Sequence, residues 1–155
     1  MQISAKVDYA VRAMLELAEL QAQDKDSVMT AESIANAQAV PFKFLEGILR
    51  DLRRAGFVAT TRGPEGGYRL GTRAKDISVA DVIRAIDGPL AEVRGEKPED
   101  AKYFGASEHL GDVWIAVRAS LRSVLETTYL SDLVDGKLSP QVLKSIKDPE
   151  AWTRR

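Results

Sequence analysis

Residues 30–70 read TAESIANAQAVPFKFLEGILRDLRRAGFVATTRGPEGGYRL, and the changes of period inside this stretch decide the fold. Thr30 caps a short helix, Ala31 to Gln38, that buries Ile34 and Ala35. Ala37 and Ala39 are small enough to let two helices cross closely in the turn that follows. Pro41 opens a second helix, where its missing N–H is no loss. Phe42, Leu45, Ile48 or Leu49, and Leu52 recur at helical spacing and form one buried face. Lys43, Glu46, Gly47, Arg50 and Arg54 fall away from it, and Gly56 stands at the C′ position that ends the helix.

After Gly56 the period becomes two. Phe57 to Thr61 reads as a strand and Tyr68 to Leu70 as its partner. Between them Arg62-Gly63-Pro64-Glu65-Gly66-Gly67 forms a tight exposed loop in which glycines supply positive φ. Arg62, at the loop base, is placed for a minor groove or a phosphate. Helix, turn, basic helix and glycine-tipped hairpin make a winged helix-turn-helix, whose second helix enters the DNA major groove.

Three stretches now carry a resemblance. The wing RGPEGGYRL, the helix PFKFLEGILRDLRRAGFV and the opening ISAKVDYAVRAMLELA are similar to the Rrf-two family of bacterial transcription regulators. That family includes the iron–sulfur cluster regulator, the nitric-oxide-sensitive repressor and the cysteine-metabolism repressor. The likeness extends through ISVADVIRAIDGPL and the later long helix, over roughly residues 1–135. It implies a dimeric, sequence-specific DNA-binding regulator that represses from a near-palindromic operator. Relatives carry a small or polar residue where Lys43 and Gly47 stand and a tyrosine where Phe44 stands, so the operator is expected to differ from theirs.

The 155-residue chain suits one compact domain plus an oligomerisation element, and its apolar share of 45% is enough for a packed core. No apolar run is long enough to span a bilayer, and Lys6, Asp8 and Arg12 interrupt any signal-peptide pattern, so a cytoplasmic protein with no membrane partner is expected. There is no cysteine, which excludes disulfides, thiolate zinc sites and a thiolate-bound iron–sulfur cluster; the expected cofactor is none. The net charge of −1 hides a partition. From Gln38 to Lys75 there are eight Lys or Arg against three Asp or Glu; from Asp76 onward acids lead fourteen to eleven. A basic middle on an acidic body puts positive potential on one face.

Taken in order, residues 4–21 form a core helix capped by Ser4, with Val7, Ala10, Val11, Met14, Leu15, Leu17, Ala18 and Leu20 as its apolar stripe. Its start carries Lys6 and Tyr9. The resemblance implies that this end approaches the DNA backbone; for Tyr9, packing under the wing is the equal alternative. Arg73 and Lys75, after the wing, are phosphate contacts or ordinary surface charges. Ser78, with Asp81 three residues on, caps a helix that buries Val79, Val82, Ile83 and Ile86, braces the wing and ends at Asp87-Gly88-Pro89. Residues 91–106 are a polar loop where cluster-binding relatives keep their cysteines. Its Tyr103 and Phe104 tuck onto the next helix or line a small pocket. His109, beside Glu108 and Asp112, is too poor a donor set for a metal, so no metal site is expected.

Ser107 to Leu130 reads as the longest helix. Leu110, Trp114, Val117, Leu121, Val124 and Thr128 form a heptad seam, widened by Val113 and Leu125. The seam predicts a symmetric homodimer; packing on the winged domain is the alternative. Leu130 to Gly136 is a short stub that, by resemblance, packs on the partner subunit. Ser139-Pro140 starts a terminal helix to Lys147, and the last residues, with Trp152, are expected to be loose. The chain thus divides into a DNA-binding domain over 1–90, a loop over 91–106, and a dimerisation helix with C-terminal segment over 107–155.

The expected mechanism places phosphate contacts on Lys6, Arg50, Arg53, Arg54 and the wing (Arg62, Gly66, Gly67, Tyr68), with Arg53 nearest the buried side. Lys43 and Glu46 read bases, since lysine donates to guanine and glutamate accepts from cytosine N4. Phe44 offers apolar contact or packing. A small-molecule or protein co-effector remains open. The rival class is a winged helix that docks proteins without reading DNA; the RDLRR run and Arg62 argue against it. No nucleophile–base pair or phosphate loop supports an enzyme.

Overall fold

The computed structural model describes residues 2–153. Among them seven α-helices and one hairpin follow in the order α1 (Ala5–Gln23), α2 (Ala31–Gln38), α3 (Phe42–Arg54), β1 (Val58–Thr61), β2 (Gly67–Leu70), α4 (Val79–Asp87), α5 (Leu110–Leu125), α6 (Leu130–Val134) and α7 (Pro140–Ile146). The local chemistry of each start matches the caps. Ser4 Oγ accepts from Val7 N–H at 3.1 Å, and Thr30 Oγ1 accepts from Ser33 N–H at 3.1 Å. Ser78 and Asp81 close a reciprocal capping box. Gly56, at φ 83°, and Gly88, at φ 88°, end α3 and α4 in conformations that a side chain resists.

The core is one cluster. Ala10, Met14 and Leu17 of α1 meet Ile34 of α2, Leu45, Leu49 and Leu52 of α3, Val58 and Leu70 of the hairpin, and Val82 of α4. The antiparallel hairpin pairs Val58 with Leu70 and Thr61 with Gly67, which turns Val58 and Leu70 inward together. A third segment joins it: Met29 and Tyr68 exchange backbone hydrogen bonds at 2.9 and 2.8 Å, so the wing is anchored to the chain entering α2.

Several expectations are corrected. α1 runs two residues beyond its predicted end at 21, making it, with 19 residues, longer than α5, with 16. Phe42 does not join the buried face of α3. It is 45% exposed, because Leu45, Ile48, Leu49 and Leu52 already fill the contact with α1. Ala39 serves the turn itself, in left-handed conformation at φ 50°, with Val40 N–H bonded back to the Ala35 carbonyl at 2.9 Å. α4 packs on α1 and α3 rather than on the wing.

The C-terminal part differs most. α5 ends at Leu125, where the Thr127 and Thr128 hydroxyls bond back to the Ser123 and Val124 carbonyls at 2.7 Å. Thr128 therefore leaves the seam and is buried, its carbonyl taking the Val79 N–H at 2.9 Å. Leu130 is fully buried in the core of its own chain and donates its N–H to the Ile77 carbonyl at 3.0 Å. α6 thus packs on its own α1, not as a free arm for a partner. In the tail, Trp152 Nε1 donates to the Ile146 carbonyl at 2.8 Å while its ring stays exposed.

Candidate nucleic-acid interface

The outward side of α3 is built from what its core side leaves over. With about 100° between successive residues, Lys43, Gly47, Arg50 and Arg54 fall in one line opposite the buried leucines. Phe44 and Asp51 flank that line on the α1 side, and Glu46 and Arg53 on the other. Lys43, Phe44, Glu46, Arg50, Arg53 and Arg54 are all exposed. Among the described residues, Lys43, Arg50, Arg53 and Arg62 enter no ion pair. The two arginines of the last turn also complement the helix dipole.

α1 braces this helix through two contacts that lie far apart in sequence. Lys6 Nζ donates to Asp51 Oδ2 at 2.9 Å, and this bond holds the Asp51 carboxyl below the usual carboxylate range. Lys6, expected as a free phosphate contact, is thus engaged with α3, its side chain still partly exposed. Tyr9 does not lie under the wing. Its ring meets Phe44 edge-on, with centroids 6.4 Å apart and planes at 63°. Arg12 covers Tyr9 at 5.6 Å and is itself held by Asp8 at 3.2 Å and Gln38 at 3.3 Å. Asp8–Arg12 was readable as a four-residue helical spacing. Asp51, 45 residues from Lys6, offered no local signal.

The wing presents Arg62 at its base, exposed. Gly66 and Gly67 are half-buried, and both must be glycine for packing reasons. A Cβ on Gly66 would stand 2.2 Å from the Thr61 carbonyl oxygen, and one on Gly67 2.7 Å from that of Met29. Neither adopts positive φ; in this loop Gly63 does, at 107°. Tyr68 is half-buried against the core. Arg73 pairs with Asp76 at 2.6 Å, and Lys75 is exposed.

On the opposite flank, α5 carries no fully buried residue. Leu110, Val113, Trp114 and Ile115 are exposed, Val113 by 51% and Trp114 by 36%. Further along the same helix Leu121, Val124 and Leu125 line an apolar groove of about 410 Å³ with Ile3, Val7, Ile83 and Leu90. Of the two loop aromatics, Tyr103 lies against Gly111 of α5, whereas Phe104 is exposed.

A braced recognition helix with an outward basic stripe, beside a hairpin with an exposed arginine, defines a winged helix-turn-helix protein. A family model described as "Rrf2: Iron-dependent Transcriptional regulator" matches residues 3–136, and the chain belongs to that family. It is 46% identical over 151 residues to a Mycobacterium tuberculosis (strain H37Rv) protein named "Putative HTH-type transcriptional regulator Rv1287", covering 97% of this chain and 92% of that one. It is 35% identical to the HTH-type transcriptional regulator CymR of Bacillus subtilis, over 86% of this chain and 89% of the relative. Among solved structures, that of CymR, described as the global cysteine regulator of B. subtilis, superposes with a TM-score of 0.72 at 31% identity, over 88% of this chain and 98% of that one. That of T. potens IscR gives 0.70 at 28% identity, over 100% and 93%.

The family's description names iron, and the residues of this chain do not fit a thiolate-held iron centre. The sequence has no cysteine. Loop 91–106 is held by other chemistry: Arg118 Nη1 donates to Glu99 Oε2 at 2.5 Å, Arg94 lies over the Tyr103 ring at 6.0 Å, and Val93 and Glu96 exchange backbone bonds. The Glu99 backbone N–H and then Arg118 hold the Glu99 carboxyl below its usual range. His109 stands exposed 3.7 Å from Asp112. Among the described residues no three His, Cys, Asp or Glu gather as a metal site, and no helix is long and apolar enough to cross a membrane.

Proposed function

We propose that the chain works as a symmetric dimer that binds a near-palindromic operator and represses by covering promoter DNA, without a thiolate-bound cluster and without catalytic chemistry. The observation that carries this reading is the division of exposed surface. The basic stripe of α3, in which Lys43 and Arg50 enter no ion pair and Arg54 faces Asp51 at 3.8 Å, and the apolar stripe of α5 lie on different elements, one suited to phosphates and bases, the other to a second copy. Phosphate contacts from Arg50, Arg53, Arg54 and Arg62 supply register and most affinity. Lys43 and Glu46, at the start of α3, read base edges. Lys6 contributes through its brace on Asp51.

The α5 stripe is self-complementary in an antiparallel pair. Centred on Val117, such a pair sets Leu110 of one copy against Val124 of the other and Val113 against Leu121, with Trp114 beside them. The exposed half of each α5 then covers the groove of its mate, as an isologous interface requires. Two recognition helices in this dimer address half-sites about 10 bp, or a multiple, apart.

The test is to incubate the purified protein with sheared DNA of the host, recover retained fragments at moderate salt and sequence them. Enrichment of a few fragments that share an inverted repeat supports the reading. Equal retention of all sequences, or of none, overturns operator recognition. Protein prepared with an iron chelator should enrich the same fragments; loss of enrichment would overturn cluster independence.

A further inference from the structure

Phe44 lies outside the hydrophobic core, with Tyr9 as its one aromatic neighbour among the described residues. The core side of α3 is complete with Leu45, Ile48, Leu49 and Leu52, each 0–1% exposed, while Phe44 is 61% exposed in the first turn. A large phenyl ring left in water near the N-terminal end of a helix whose outward neighbours are Lys43, Glu46 and Arg50 is unexpected for a surface shaped only by solubility. The ring is also held. Tyr9 meets it edge-on, Arg12 stacks on Tyr9, and Asp8 and Gln38 fix Arg12. Three side chains of α1 and one of α2 thereby limit where an exposed ring can go.

Next to Phe44, one turn along the outward side, stands Gly47. The nearest neighbour of a Cβ built there is Arg50 Nη2 at 3.9 Å, so the place is an open notch floored by backbone. Phe44 and Gly47 therefore form an apolar wall and a shallow floor, both at the end of α3 that contacts base edges. In the major groove one base carries an apolar group at its edge, the 5-methyl of thymine. We propose that Phe44 is a specificity-determining residue that reads the 5-methyl group of one thymine in each half-site, with the methyl seated between the ring and Gly47. The proposal rests on the reading of α3 as the operator-reading helix. It adds an apolar contact to the polar ones made by Lys43 and Glu46. The brace from Tyr9 lowers the ordering needed on binding.

The experiment is a uracil scan of the recovered operator. Each thymine is replaced, at symmetric positions in both half-sites, by deoxyuridine, which lacks only the methyl, and affinity is read by fluorescence anisotropy. Loss of one buried methyl corresponds to about fourfold, so a symmetric pair gives about tenfold or more. The expected result is one symmetric position at which uracil lowers affinity by that factor for the wild-type protein. Phe44→Ala should bind the thymine operator more weakly and no longer distinguish thymine from uracil there, and Phe44→Leu should keep part of the difference. Because the ring is mostly exposed, and the edge contact with Tyr9 that is lost is offset in part by the better helix propensity of alanine, the melting temperature of Phe44→Ala should stay within a few degrees of the wild type. A wild-type protein insensitive to uracil at every position overturns the inference, as does a thymine preference that survives Phe44→Ala. Failure of the wild-type protein to retain any fragment selectively overturns the operator reading as well; a selectively bound operator with a flat uracil scan overturns this inference alone.

Discussion

Gly47→Ala is expected to stabilise the protein and weaken operator binding at once. Gly47 is an interior residue of α3, which spans Phe42–Arg54, and its φ is not positive. An added Cβ meets nothing closer than Arg50 Nη2 at 3.9 Å, ordinary van der Waals contact. The folded chain therefore accepts the methyl without displacement. The gain is the difference in helix propensity, about 1 kcal/mol, much of it from the reduced freedom of the unfolded chain. For a chain of 155 residues this corresponds to a rise in melting temperature of about 2–4 °C. On DNA the same methyl projects from the outward line of α3 into the notch beside Phe44. Disturbing one base-edge contact costs about 1–3 kcal/mol, about fivefold to 150-fold in affinity. Thermal unfolding by circular dichroism and operator titration by anisotropy, on one preparation, read both effects. A raised melting temperature with unchanged affinity would show that Gly47 faces away from the DNA. A lowered melting temperature would show that α3 does not leave the position open.

Four further outcomes follow from named contacts. Trp114→Glu places a charge in the apolar stripe of α5, and light scattering should report monomers whose winged core still melts cooperatively; a surviving dimer would move the interface elsewhere. Arg62→Ala should weaken binding evenly across sequences and reduce the salt slope of the dimer by about two, one per wing; an unchanged slope would remove the wing from the phosphates. Gly66→Ala forces a Cβ against the Thr61 carbonyl and should destabilise the hairpin by about 1–3 kcal/mol, visible in a denaturant titration even without DNA; a neutral result would refute the packing account of this glycine. Asp51, whose carboxyl is depressed by Lys6, contributes stability that is present above the unfolded value, about pH 4, and lost as pH falls through the lower folded value. Asp51→Asn should therefore flatten the acid limb of the stability curve below about pH 4; an unaltered limb would show that the Lys6 bond is not formed in solution.

What was legible in the sequence was local. Thr30, Ser4, Ser78 with Asp81, Gly56 and Gly88 each act through neighbours within a few residues, and each is found in its predicted role. The hairpin was equally readable, because alternation and a glycine loop are short-range signals. The departures come from competition over longer distances. Phe42 has the right spacing for the core of α3, but it is the first residue of the helix, and Leu45, Ile48, Leu49 and Leu52 already fill the side that faces α1, α2 and α4. Lys6 looks like a free cation until α3 brings Asp51 to 2.9 Å. The seam of α5 predicts continuation to Thr128, yet two consecutive threonines can cap carbonyls behind them, and the chain turns back so that Leu130 reaches the core. No periodicity announces that reversal.

The three contacts at the start of α1 explain how the outward side of α3 and the α5 groove come to share one support. Ser4 Oγ donates to Asp87 Oδ2 at 2.7 Å and joins α1 to the end of α4, while Lys6 and Tyr9 join it to α3. Ile3 and Val7, interleaved with those polar residues, line the groove with Leu121 and Val124. A helix presents successive residues on different faces, so Val7, with Ile3 just ahead of the cap, can wall an apolar groove while Lys6 and Tyr9 brace α3. The position of α3 relative to α5 is consequently set through α4, which packs on α1, α3 and α5, together with the first turns of α1. Substitutions at Lys6 or Tyr9 should therefore disturb DNA affinity while leaving the apolar stripe of α5 intact, and substitutions in that stripe should leave the Lys6–Asp51 and Tyr9–Phe44 contacts in place.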